Sequence, residues 1–292
     1  MIKMMTNGKF SIATALNNAV ATLSLNNSIE TPRLDAEVLL CDVLNCERIS
    51  LVINKDKELT KHEYELFNSY IMRRAQNEPV SYITGKKEFM SLEFDVKEGI
   101  LIPRPDTEIL VENIIEAYKD TSVKILDLCT GSGAIAVSLA YYLKDASVIA
   151  VDKFDICTET TAQNAKKHNV SDRVCVIKAD VLNNFSVDEQ IDCIVSNPPY
   201  IESEVLTSLP RDVKDYEPDY ALDGGNDGLI FYRKITEYAS KKLKYGGMLA
   251  FEIGYDQGES VKKIIENSGS FKDISILKDL AGLDRVVTAE KR

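Results

Sequence analysis

After Ile102-Pro103-Arg104-Pro105 the chain falls into one repeating order: a short apolar run of strand length, a turn, and a stretch with helical spacing. The apolar runs lie at residues 123–128, 147–151, 174–178, 191–195, 248–253, 274–277 and 285–289, which predicts seven strands. Helical stretches separate the first five, and strands joined through a helix pair in parallel by right-handed crossovers. The last two are joined too briefly for a crossover and are expected as an antiparallel hairpin. The pattern therefore predicts an α/β fold, a mostly parallel seven-stranded sheet with an antiparallel C-terminal hairpin.

The first part of the chain reads differently. Ile12, Leu16, Ala19, Val20 and Leu23 recur at helical spacing. Thr31-Pro32 offers a cap and first-turn proline for a helix carrying Leu39, Leu40, Val43 and Leu44, and Thr60 with Glu63 forms a capping-box pattern ahead of Phe67 and Ile71. Residues 1–77 are expected as a small helical domain. Pro79 ends it, and Leu92, Phe94 and Val96 then alternate with charged neighbours. Residues 78–102 are expected as a β-hairpin connector with Gly85 as turn candidate, and residues 103–292 as the α/β domain. At 292 residues the chain is long enough for both domains.

Thirty-five Lys and Arg against 46 Asp and Glu give a net charge of -11, the wrong sign for holding nucleic acid by whole-surface attraction to phosphates. Residues 1–78 hold nine basic and ten acidic side chains, leaving 26 and 36 for the rest, so the acidity belongs to the α/β domain. No apolar run approaches the ~18 residues of a membrane helix. The N-terminal stretch, with Lys3, Lys9, Asn17 and Asn18, lacks the apolar core of a signal peptide, so a cytoplasmic protein with no membrane partner is expected. The six cysteines contain no C-x-x-C pair, and His62 and His168 have no cysteine nearby in sequence, which argues against zinc and disulfide frameworks. Most of the cysteines lie in apolar segments and are expected as small buried hydrophobes.

Asp127-Leu128-Cys129-Thr130-Gly131-Ser132-Gly133 follows the first strand and opens a helix. Glycine lets the backbone approach a ligand without a Cβ in the way, and free N–H groups at a helix start suit a carboxylate or phosphate. Gly131, Gly133 and Ala136 also satisfy the dinucleotide pattern G-x-G-x-x-A, and Asp152 ends the second strand where a carboxylate can bind a ribose hydroxyl pair. These features fit NAD and S-adenosylmethionine equally. A tight turn with no ligand, and a helix N-cap at Asp152, are the plain alternatives. Asp127 favours a methyl donor, since a carboxylate there can orient the loop amides and sit near an ammonium group.

Asn197-Pro198-Pro199-Tyr200 ends the fourth strand. Two consecutive prolines fix the backbone in extended form, remove two N–H donors and hold the Pro198 carbonyl rigidly outward. With the Asn197 side-chain oxygen, that carbonyl can accept both N–H bonds of a planar NH₂ group and aim its lone pair at a donor methyl. Tyr200 offers a flat face to the substrate's π-system.

With their flanking motifs these residues resemble the release factor glutamine methyltransferases, the PrmC/HemK family. The resemblance runs from about Asp35 to Val287. It is carried by Arg73-Arg74 with EPVSYITG at residues 78–85, LIPRPDTE at residues 101–108, Asp127 to Ile135, Asn197 to Ile201, Tyr216-Glu217-Pro218 with Ala221-Leu222, Asp227-Gly228-Leu229, Glu252-Ile253-Gly254 with Gln257, and Gly282 to Val287. It implies a Rossmann-like S-adenosylmethionine-dependent methyltransferase fold, S-adenosylmethionine as donor, S-adenosyl-L-homocysteine as product, and no metal. The implied substrate is the glutamine of the Gly-Gly-Gln loop of peptide chain release factors, methylated on its side-chain nitrogen, with no direct nucleic-acid substrate. By matching motif positions, Asp127, Cys129, Thr130, Gly131, Ser132, Gly133 and Asp152 are implied donor-binding residues, and Asp180 and Val181 lie beside the adenine. Arg104 and Pro105 line the donor cavity, while Asn197, Pro198, Pro199 and Tyr200 hold the glutamine, Asn197 also facing the donor. Recognition of the protein substrate falls to the helical domain, which has no cofactor motif of its own.

Cys129 stands where the family has the first glycine of the turn, Val181 where it often has an aromatic residue, and residues 153–157 depart from its small-residue pattern. Rival readings are a glutamine methyltransferase acting on a ribosomal protein, a nucleobase amino-group methyltransferase, and a nucleotide-binding module with a vestigial site. From Glu202 to Asp227 eight acidic residues face only Arg211 and Lys214, a poor surface for backbone phosphates but acceptable to a basic protein loop.

Overall fold

The computed structural model describes residues 10–183 and 185–292, so the first nine residues of the expected helical domain, with Lys3 and Lys9, lie outside the described residues. The chain divides into two compact units, Met1–Gly85 with Pro210–Tyr216, and Lys86–Leu209 with Glu217–Arg292.

In the first unit, α1 (Ile12–Leu23), α2 (Pro32–Leu44) and α4 (Lys61–Arg74) pack Leu16, Leu23, Leu39, Leu40, Phe67 and Ile71 into one core. The capping box forms as its spacing predicts: the Thr60 hydroxyl accepts from Glu63 N at 3.2 Å and the Glu63 carboxylate accepts from Thr60 N at 2.6 Å. Pro32 opens α2 as expected, but Thr31 does not cap it. Its hydroxyl donates instead to Asp35 Oδ1 at 2.8 Å, while Arg74 Nε donates to Asp35 Oδ2 at 2.7 Å. Asp35 and Arg74 are both buried, and a buried carboxylate draws in every donor within reach. Two further helices, α3 (Arg48–Ile53) and α5 (Val80–Thr84), are too short for periodicity to reveal. Gly85, the hairpin turn candidate, is instead the left-handed cap of α5. The short helix α9 (Arg211–Lys214) belongs to this unit, where the Tyr216 hydroxyl donates to the Gln76 carbonyl at 2.9 Å.

The second unit opens with a hairpin, β1 (Lys86–Phe89) and β2 (Leu92–Asp95), which reverses at Met90 and Ser91, both at positive φ as a two-residue turn of matching twist requires. Its main sheet has the order β5 (Val174–Lys178), β4 (Ser147–Asp152), β3 (Lys124–Leu128), β6 (Ile191–Ser196), β7 (Leu243–Glu252), β9 (Asp284–Lys291), β8 (Phe271–Lys278). The first five are parallel and the last two antiparallel, as the alternation of strands and helices predicts. Strand β7 starts earlier than its apolar run, passing through Gly246 at positive φ, and its pairing with β6 shifts register between Ile191 and Cys193. Helices α6 (Thr107–Tyr118), α7 (Ala134–Tyr142), α8 (Asp155–Lys167), α10 (Ile230–Lys242) and α11 (Gly258–Asn267) complete the unit, and α7 is apolar around most of its surface because almost all of it is buried. Among the described residues, no helix is long and apolar enough to cross a membrane.

Cys157 and Cys193 are buried and Cys41, Cys46 and Cys129 half-buried, whereas Cys175 is exposed because it points outward from the edge strand β5.

Replacing Asp35 by Ala leaves the Arg74 guanidinium buried without its partner, which should destabilise the helical unit by about 3–5 kcal/mol. Amide hydrogen exchange in α2 and α4 reads this directly. Pairing Asp35→Leu with Arg74→Met should recover most of the protection; a single variant that exchanges like the parent would show that the pair does not hold the helices.

Candidate active site

Register places the chemistry. Leu128 ends β3 opposite Val151 of β4 and Ser196 of β6, and Asp152 pairs with Lys178 of β5. Asp152, the last residue of β4, and the residues that follow the other strands, Cys129, Ala179-Asp180 and Asn197, therefore emerge along one carboxyl edge. Order reverses between β3, which continues to β4 on one side, and β6 on the other, so the crevice of an open parallel sheet opens there.

The loop after β3 is held from three directions. The Thr130 hydroxyl donates to Asp127 Oδ2 at 2.6 Å, the Thr130 amide to the Val151 carbonyl at 3.0 Å, and the Gly131 amide to Asp152 Oδ2 at 2.9 Å. Cys129, Gly131 and Gly133 all have positive φ, at 63°, 59° and 80°. The glycine that Cys129 displaces is thus one the backbone favours, and the cysteine carries the local strain. At Gly133 a Cβ would also stand 2.8 Å from a Thr161 methyl. Asp152 does not cap α8, whose N-cap is Phe154; its second oxygen accepts from Phe154 N at 3.1 Å, so its carboxylate ties loop and strand end together.

A cavity of about 340 Å³ lies over this edge. Of the residues singled out from the sequence it brings together Arg104, Cys129, Thr130, Gly131, Ser132, Asp152, Asp180, Val181, Asn197 and Pro199. Asp127, Gly133, Pro105, Pro198 and Tyr200 are not on its wall. Asp127 lies beneath the loop, fully buried, and Tyr200 packs against the apolar core that contains Tyr232 and Phe251 rather than facing the cavity. The Tyr200 carbonyl accepts from Gln257 Nε2 at 2.9 Å, and Gln257 Oε1 accepts from Gly254 N at 3.1 Å, which ties the proline turn to the segment after β7.

Several wall residues escaped sequence reasoning. Phe154 stacks on Tyr220 with ring centroids 3.7 Å apart, and the Tyr220 hydroxyl donates to the Gly99 carbonyl. Arg104 Nη2 pairs with Glu217 Oε1 at 2.5 Å, and Lys153 Nζ with Asp180 Oδ2 at 3.0 Å. Although burial works against its charge, Asp180 is held below its ordinary pKa by Lys153 and Asn183. Within the wall, Asn197 Nδ2 donates to Thr107 Oγ1 at 3.3 Å, and the buried Glu252 lies close behind them. Thr107 and Glu252 fall within the family-like runs at residues 101–108 and 252–254, but nothing in the sequence joined them to Asn197.

The order of strands, the glycine loop, the acid after β4 and the Asn-Pro-Pro-Tyr turn after β6 define a Rossmann-like methyltransferase. A PrmC N-terminal domain model matches residues 14–85 and a methyltransferase small domain model residues 105–209. The release factor glutamine methyltransferase of Clostridium botulinum is 45% identical over 266 residues, 90% of this chain and 94% of that protein. That of Clostridium acetobutylicum is 44% identical over 280 residues, 95% and 98%. The chain belongs to the release factor glutamine methyltransferase family. A crystal structure of a methyltransferase from Pyrococcus furiosus matches with a TM-score of 0.51 at 17% identity, covering 77% of this chain and 97% of that one, a likeness of fold.

Burial dominates the electrostatics under the loop. It pushes the Asp127 carboxyl up to about 7, with the Thr130 hydrogen bond pulling back and the Asp152 charge adding to the rise, and Asp127 Oδ1 has no hydrogen-bond partner among the described residues. Between the ordinary value near 4 and this one, the folded protein holds a proton that the unfolded chain has released. Folding is therefore penalised progressively as pH rises from 4 to 7, and the penalty is constant above. Asp127→Asn cannot ionise, so its stability relative to the parent should rise by about 2–4 kcal/mol between pH 5 and pH 8. Thermal or urea unfolding of both proteins at the two pH values checks this; a constant difference would mean that Asp127 is charged in the fold.

Proposed function

We propose that this protein transfers a methyl group from S-adenosylmethionine to the side-chain amide nitrogen of the glutamine in the Gly-Gly-Gln motif of peptide chain release factors, giving N5-methylglutamine, in the cytoplasm. The observation that carries the reading is the placement of Asn197 and Pro199 on the same cavity wall as the glycine loop and Asp152, in a chain of this family. The cradle suits the donor. A Cβ at Gly131 would meet nothing within 4 Å, leaving room for a ligand against the loop, and Asp152 presents a buried carboxylate where a ribose would lie.

Bound there, S-adenosylmethionine supplies an electrophilic sulfonium methyl. The task left to the protein is alignment, because an amide nitrogen is a poor nucleophile whose lone pair is delocalised. Asn197 Oδ1 and the Pro198 carbonyl accept the two N–H bonds of the glutamine amide and hold its nitrogen in line with the methyl. Val181 and Asp180 flank the adenine, and the Phe154–Tyr220 stack and Arg104 wall the site off from water. The acidic stretch from Glu202 to Asp227 favours a basic protein loop over a phosphate backbone.

Incubation with methyl-labelled donor and purified release factor, followed by peptide mapping, tests the reading; label anywhere but the Gly-Gly-Gln glutamine overturns it. Two substitutions separate the roles. Asn197→Ala should lower single-turnover methylation by about 10²-fold with little change in donor affinity. Asp152→Ala should weaken donor binding by about 1.5–3 kcal/mol in calorimetry. If Asn197→Ala turns over like the parent, the proline turn is structural.

We assign recognition of the intact release factor to the helical domain of residues 1–77, on the strength of its near-neutral charge and the exposed Ile49, Val52 and Ile53 of α3, at 59%, 65% and 74% exposure. Val52→Asp with Ile53→Asp should then lower kcat/KM on intact release factor about tenfold or more while sparing a short Gly-Gly-Gln peptide. Equal losses on both substrates would remove the assignment.

A further inference from the structure

Asn197 can align an NH₂ group only with its oxygen, yet the oxygen and nitrogen ends of an amide have the same shape and are told apart only by their hydrogen-bond partners. One of those partners, Thr107, is on the cavity wall, and Glu252 lies behind it. Thr107 opens α6 and Glu252 closes β7, at 4% and 1% exposure. Asn197 Nδ2 donates to Thr107 Oγ1 at 3.3 Å, and the side-chain donors of Thr107 and Asn197 favour the charged form of the buried Glu252 carboxyl beside them. An ionised carboxylate has no proton to give. An acceptor at that place sets the direction of the donors: Thr107 Oγ1 already accepts from Asn197, so its own proton is free to turn toward Glu252, and the NH₂ end of Asn197 is drawn inward.

Resting on the methyl-transfer reading above, we propose that Glu252 and Thr107 are positioning residues that hold the Asn197 amide with its oxygen facing the substrate. A carboxylate kept only for stability would be an odd choice at this place. Glu252 Oε2 has no hydrogen-bond partner among the described residues, and a buried polar oxygen left unpaired costs the fold free energy. The cation that acts on Glu252, Arg285, is shared with Asp279 at 3.0 Å and Asp106 at 3.3 Å. Burial pushes the Glu252 carboxyl up to about 7, against hydrogen bonds from Thr107 and Asn197 and the Arg285 charge, with Asp106 adding to the rise; Tyr200 and Tyr232 are the other ionisable groups that face it. Protonated, Glu252 becomes a donor and can accept Asn197 turned the other way round, with its NH₂ toward the cavity.

Glu252→Gln keeps the shape and removes the acceptor-only character. It should lower kcat for release factor methylation by about tenfold or more, leave the donor dissociation constant within about twofold, and leave the melting temperature equal or higher. Thr107→Val should lose kcat similarly and Thr107→Ser should keep most of it. The side-chain amide protons of Asn197, followed by ¹⁵N NMR without donor or substrate, should titrate near pH 7 in the parent and not in Glu252→Gln. Parental kcat in Glu252→Gln, a Thr107→Ser as poor as Thr107→Val, or an Asn197 amide that titrates unchanged in Glu252→Gln each overturns the proposal. A parent that methylates no release factor glutamine overturns the functional reading instead, a result that the NMR titration keeps separate.

Discussion

The parallel register of β3, β4, β5 and β6 is the constraint on which the site depends. Because Leu128 stands opposite both Val151 and Ser196, three chain segments leave the sheet at the same height and their next residues are neighbours without any long-range design of loops. The Ser196 hydroxyl donates to the Leu128 carbonyl at 2.6 Å and Ala179 N to the Asp152 carbonyl at 2.9 Å, so the edge is laced beyond the ladder itself. A slip of one residue in any of these strands would turn inward-facing side chains outward and misplace the loops together.

Strain in the loop after β3 is tolerated because the sheet over-determines it. Three left-handed residues in five positions would not persist in an isolated segment, and one of them is a cysteine. Asp127 below and Asp152 beside the loop supply the compensating hydrogen bonds. Both carboxylates are buried to do so, and both have raised pKa values for that reason. The conformation that frees the Gly131 side of the loop for a ligand is thus held by groups that themselves prefer water.

Much of this was legible before any coordinates. Strand positions followed from apolar runs, parallel pairing from the helices between them, and the carboxyl-edge location of Cys129, Asp152 and Asn197 from their place just after those runs. What escaped is long-range. Phe154 and Tyr220 are 66 positions apart, Arg104 and Glu217 are 113 apart, and nothing in local spacing pairs them. Short helices such as α5 are set by their ends rather than by periodicity, which is why Gly85 reads as a hairpin turn and serves as a helix cap. The side-chain direction of Tyr200 is equally invisible in sequence. The two prolines fix the backbone, but it is the tie of the Tyr200 carbonyl to Gln257 and the apolar core below that turn the ring away from the cavity wall.

The positions of the ionisable groups divide the labour within the site. Lys153 and Asp180 pair at the exposed mouth, where a salt bridge is worth little but keeps that end of the cavity polar. Asp127 and Glu252 lie in the dry layer beneath, each with a threonine beside it and one carboxylate oxygen left without a hydrogen-bond partner among the described residues. Threonine suits that layer because its hydroxyl makes a hydrogen bond while its methyl packs, so that Thr130 stiffens the loop after β3 and Thr107 the Asn197 amide. The two buried acids lie under different segments, Asp127 beneath the loop after β3 and Glu252 beside Asn197 after β6. Both do so without reaching into the cavity, where a carboxylate close to a sulfonium would bind the donor's ground state more tightly and gain nothing in the transition state, as that positive charge is being lost.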